Sequence, residues 1–77
     1  MKLNCMQITN GSHIKHSVKT QQTSDYDSYG LHYYYLVTGE HELELLMYSE
    51  RDSPEEAIRV RKLVSKFAKM ANLKISK

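Results

Sequence analysis

Residues 52–77, "DSPEEAIRVRKLVSKFAKMANLKISK", constrain the fold more than any other stretch, because they hold the start, the apolar stripe and the stop of one amphipathic helix. Ser53, Pro54 and Glu56 form a capping-box pattern with proline at the first helical position, where its missing N–H would have had no partner anyway. At 100° per residue, Ala57, Val60, Leu63, Val64, Phe67, Ala68, Met70 and Ala71 fall on one stripe. Arg59, Lys62, Lys66 and Lys69 lie on its flank and back, while Ile58 and Leu73 project away from it. Asn72 is the expected end of the helix, with "LKISK" as a tail. Such a stripe needs a surface to cover, and Val64 and Phe67 are expected to lie across it.

The sequence before the helix supplies that surface as strands. Asn10-Gly11 predicts a tight hairpin between a strand over residues 2–9 and a second over 12–20, since a type I′ turn needs positive φ at both central positions. Counting back from the turn pairs Ile8 with His13, Cys5 with His16 and Leu3 with Val18. One face then carries Leu3, Cys5, Ile14, His16 and Val18, the better core set. The other face carries Met6, Ile8, His13 and Lys15. Residues 20–30, "TQQTSDYDSYG", are polar, contain Tyr26 and Tyr29, and predict a long loop, a place where binding elements often sit.

A third strand over 31–38 and a fourth over 41–49 turn at Gly39-Glu40. A two-residue turn pairs Leu36 with Leu43, Tyr34 with Leu45 and His32 with Met47, all on the inner face. It also sets Val37 opposite Glu42, Tyr35 opposite Glu44 and Tyr33 opposite Leu46. Because neighbouring strand residues point to opposite faces, the run Tyr33-Tyr34-Tyr35 must split. Tyr34 goes inward, and Tyr33, Tyr35, Val37, Glu42, Glu44, Leu46 and Tyr48 go outward. The expected fold is therefore α+β: an antiparallel sheet of about four strands from two hairpins, with one C-terminal helix on one face, in a single small domain spanning 1–77.

The 77 residues allow only one modest core, so an apolar patch left outside it calls for a use. With 40% hydrophobic and 26% charged residues the chain reads as globular, and its longest apolar runs are far too short for a bilayer span. No signal-peptide core is apparent near residue 1, and the single Cys5 forms no internal disulfide, which together suggest a cytoplasmic setting. The net charge of +2 is divided unevenly. Residues 1–53 carry four cations against seven anions, and residues 54–77 seven cations against two.

Few residues here form a pattern that chemistry would need. His13 and His16 are three apart on a strand and face opposite ways, and neither Cys-x-x-Cys nor His-Glu-x-x-His spacing occurs, so no metal site is expected. A Cys5–His16 nucleophile pair is outweighed by a buried cysteine beside a histidine. Glu42 and Glu44 share a flat face with no pocket to shift one of their pKa values, and the three glycines make no phosphate loop. The expected role is thus non-enzymatic, without cofactor or membrane contact. It is a protein-binding module, an inhibitor or adaptor of the kind compact mobile-element genes encode, acting on another protein or on itself as a homodimer. Tyr33, Tyr35, Tyr48 and Leu46 would be its anchors, with Glu42 and Glu44 at the rim. The alternative is a nucleic-acid-binding accessory protein using Arg59, Lys62, Lys66 and Lys69 of the helix, through backbone contacts with little sequence readout.

Overall fold

The computed structural model describes residues 11–23 and 27–76. Strands β1 (His13–Gln22), β2 (Ser28–Thr38) and β3 (His41–Ser49) precede helix α1 (Pro54–Ala71) and a short strand β4 (Lys74–Ser76). They form a four-stranded mixed sheet in the order β3-β2-β1-β4 with one helix packed on it, an α+β fold. The β1–β2 and β2–β3 pairs are antiparallel and β1–β4 is parallel.

The expected strand over 2–9, with its Ile8–His13, Cys5–His16 and Leu3–Val18 pairings, lies outside the described residues. The fourth strand among the described residues comes from the far end of the chain. The expected tail "LKISK" contributes β4, which pairs His13 with Lys74, Ile14 with Ile75 and Lys15 with Ser76. What redirects the chain is the helix stop. Asn72 adopts the left-handed conformation (φ 58°, ψ 46°), its N–H donates to Lys69 O and the Leu73 N–H donates to Ala68 O. This closure reverses the chain and tucks Leu73 against the core, as such caps commonly do.

The long loop expected over 20–30 is mostly strand. β1 runs on to Gln22 and β2 starts at Ser28, with Thr20 paired to Gly30, Gln21 to Tyr29 and Gln22 to Ser28. The hairpin is closed by the Thr23 N–H donating to Asp27 O at 2.8 Å. Threonine and tyrosine suit a pleated strand, so the polar composition here marks a two-stranded arm reaching past β3.

The core is small: Ile14, Tyr34, Tyr48, Val60, Val64 and Ala68, with Leu45, Leu46, Ala57 and Leu73 packed around it. The helix faces the sheet through its small residues, not through the whole predicted stripe. Leu63 and Met70 are exposed and Phe67 is 36% exposed, so Phe67 does not lie across the inner face. The inner face carries the rings of Tyr34, Tyr48, His16 and His32, and Val60, Val64 and Ala68 are the helix residues buried against it. The helix is turned by about 40° from the stripe's centre to present them. At its start, Ser53 occupies the cap position and Pro54 the first turn, as expected, but Ser53 makes no side-chain cap bond and Glu56 turns to Arg59.

Candidate functional site

The β2–β3 register holds from Thr38–His41 through Tyr35–Glu44, and then a bulge between Tyr34 and Tyr35 shifts it by one residue. Beyond it Tyr34 faces Leu46, Tyr33 faces Met47 and His32 faces Tyr48. An extra residue on one strand re-aims every side chain after it. Leu46 and Tyr48, expected on the outer face, are therefore inside, with Tyr48 only 4% exposed. Met47, expected inside, is outside and exposed. The alternation "ELEL" breaks at the doublet Leu45-Leu46, which is the sequence signal for this bulge.

The outer face brings Tyr33, Tyr35, Glu42 and Glu44 together as expected. The Tyr33 and Tyr35 rings are stacked at 6.0 Å. Lys19 sits 5.0 Å from the Tyr33 ring centre and Lys15 6.0 Å from that of Tyr35, reaching over the ring to pair with Glu42 at 3.2 Å. Farther along β2, Arg51 lies 5.1 Å over Tyr29. The sequence reading sets the basic row of the helix apart from the tyrosines and does not bring Lys15, Lys19 and Arg51 to their rings. The helix residues Arg59, Lys62, Lys66 and Lys69 are all exposed, and Arg59 is held by Glu56 at 2.6 Å.

The inner face contains a second constellation that the sequence did not announce. Four rings form a parallel ladder. Tyr34 stacks on His16 at 4.7 Å, His16 on His32 at 5.1 Å, and His32 on Tyr48 at 4.5 Å with an interplanar angle of 4°. His16 Nε2 and His32 Nδ1 are 2.9 Å apart, and His32 Nε2 meets Glu50 Oε2 at 2.8 Å. The other Glu50 oxygen accepts the Gly30 N–H at 2.9 Å. A Cβ at position 30 would stand 2.7 Å from this carboxylate and would push the Glu50 side chain aside. The hydrogen bond from His32, then that from Gly30, holds the Glu50 carboxyl below its ordinary pKa. Burial, then the neighbouring Tyr48 phenol, raises the Tyr34 phenol above its ordinary pKa. Arg61 on the helix donates to Tyr48 Oη at 3.1 Å. His16, His32, Tyr34, Tyr48 and Arg61 line a cleft of about 410 Å³ between sheet and helix.

Among the described residues no three His, Cys, Asp or Glu side chains are grouped to hold a metal ion, and no helix is long and apolar enough to cross a membrane. The chain matches no protein-family model, no curated protein and no solved structure.

Proposed function

We propose that this chain is a non-enzymatic protein-binding module, an inhibitor or adaptor, that works through its outer sheet face around Tyr33 and Tyr35. The observation that carries this reading is one-sided coverage. The helix packs on the inner face, while the outer face keeps Tyr33, Tyr35 and Val37 half-buried and Met47 exposed with no described element over them. An apolar and aromatic patch of this kind is what binding surfaces use.

Charge supports a second copy of the chain as the partner. On this face β1 carries Lys15 and Lys19, β3 carries Glu42 and Glu44, and the tyrosines of β2 run between them. A two-fold axis along β2 would lay the lysine column of one copy over the glutamate column of the other, with the rings on the axis. Sedimentation over a range of concentrations tests this. The expected result is a concentration-dependent dimer that Glu42→Lys with Glu44→Lys weakens. A wild-type chain that stays monomeric at every concentration, and recovers no protein partner in a nuclease-treated pull-down, would contradict it.

One observation favours a second reading. Lys15, Lys19 and Arg51 each lie over a tyrosine ring, and cations interleaved with aromatic rings are the ingredients of single-stranded nucleic-acid binding. Nucleic acid would then use the sheet, and Arg59, Lys62, Lys66 and Lys69 would serve at most as additional phosphate contacts. Binding to an oligonucleotide that falls steeply with salt and is lost in Tyr33→Ala would establish this reading over the first.

A further inference from the structure

We infer that the cleft between the ring ladder and α1 is a binding site for a phosphate monoester. Its volume of about 410 Å³ exceeds what a bare phosphate fills and lies in the range of small-ligand pockets. On the helix side, the Arg61 guanidinium spends one donor on Tyr48 and makes no ion pair among the described residues. A guanidinium has five donors in a planar fork that suits phosphate oxygens. Ser65, one helical turn on, lines the same wall and adds a hydroxyl. Val64 and Ile75 supply an apolar side for the carbon portion of an ester.

The opposite wall holds the imidazoles of His16 and His32. With Glu50 ionised, His32 donates its Nε2–H to the carboxylate, so in the neutral ring Nδ1 accepts the Nε2–H of His16. A 2.9 Å N···N contact needs an N–H on one side and a lone pair on the other. A phosphate in the cleft faces Arg61 on one side and this pair on the other. Among the described residues, the other ionisable groups around the pair are Tyr34 on β2, Tyr48 on β3, and Glu50 and Asp52 in the turn before the helix, and β4 contributes Ile75 to this wall.

The site is independent of the outer face, and the two fail separately. The test titrates the full chain with inorganic phosphate and, separately, with a nucleoside 5′-monophosphate, following the imidazole NMR signals of all four histidines. His13 on the outer face and His41 in the β2–β3 turn serve as internal controls. Saturable shifts confined to His16 and His32 are expected, with the monoester binding about tenfold tighter than phosphate, a step of the size one further set of contacts supplies. Arg61→Gln should weaken both ligands by about tenfold or more, and Arg61→Lys should recover part of that, because lysine keeps the charge but not the fork. Tyr35→Ala should leave all of this unchanged. Equal, non-saturating shifts at all four histidines would overturn the site, as would wild-type affinity in a folded Arg61→Gln chain. A monoester that binds no tighter than inorganic phosphate would overturn the ligand class.

Discussion

Tyr34 and Tyr35 are consecutive residues of β2, yet the first is 5% exposed beneath the helix and the second lies under a lysine on the opposite face. The two faces of the sheet are built on different terms. Inside, large rings come from the sheet and small side chains from the helix, and a chain of hydrogen bonds from Glu50 through His32 to His16 ties the turn before α1 to β2 and β1. Outside, no described element lies over the rings, and the ammonium groups of Lys15 and Lys19 sit above them. The inner rings hold the helix, and the outer ones are the proposed contact with a partner.

Mutations sharpen this contrast. Ile14 is wholly buried, so Ile14→Ala should cost about 2–5 kcal/mol, enough to unfold a domain of this size. Phe67→Ala, at the helix flank, should cost much less, below about 1.5 kcal/mol. Urea denaturation of the pair checks the order, and a larger loss at Phe67 would mean that the helix faces the sheet with the predicted stripe after all. At Tyr48, truncation to alanine should cost about 3–5 kcal/mol. Tyr48→Phe keeps the ladder and loses the hydroxyl's hydrogen bonds to Arg61 and Tyr34, for about 1–2 kcal/mol. If Tyr48→Ala melts like wild type, the bulge is misplaced and Tyr48 belongs to the outer face.

The hydrogen-bonded chain on the inner side predicts a pH dependence with a definite sign. The Glu50 carboxyl is held below its ordinary pKa, so its contribution to stability is fully present above the ordinary carboxylate range and is lost as the pH falls through the lowered value. Glu50→Gln should therefore melt below wild type at neutral pH, and the gap should close in acid. A gap that is constant with pH would show that the His32–Glu50 contact carries no charge-dependent stability.

Much of the fold was legible before any coordinates. The capping signals at Ser53 and Pro54, the Asn72 stop and the Gly39-Glu40 turn each act locally, and local chemistry is visible in sequence. The outer position of Tyr33, Tyr35, Glu42 and Glu44 followed from strand alternation near a tight turn, where register has not yet drifted. Tyr48 and Leu46 went astray because the bulge lies between them and that turn, and a one-residue slip reverses every side chain beyond it. The helix orientation was misjudged for a different reason. Hydrophobic periodicity ranks residues by polarity and does not say which part of a broad stripe meets the sheet, and here that part is Val60, Val64 and Ala68, with Phe67 left at the flank. The Glu50–His32–His16 chain and Arg61 could not be read from spacing at all, since they meet only after three strands and the helix are in place.

The central claim is that the inner tyrosines hold the fold and the outer ones bind. Its most direct test makes Tyr35→Ala and Tyr48→Ala in parallel and measures thermal melting and sedimentation on each. Tyr35→Ala should melt within about 0.5 kcal/mol of wild type, as surface substitutions do. It should nevertheless weaken self-association or partner capture by about 1–2 kcal/mol or more, as loss of an interface anchor does. Tyr48→Ala should lose the fold first. The account is contradicted if Tyr35→Ala melts the domain, or if it leaves both melting and association unchanged.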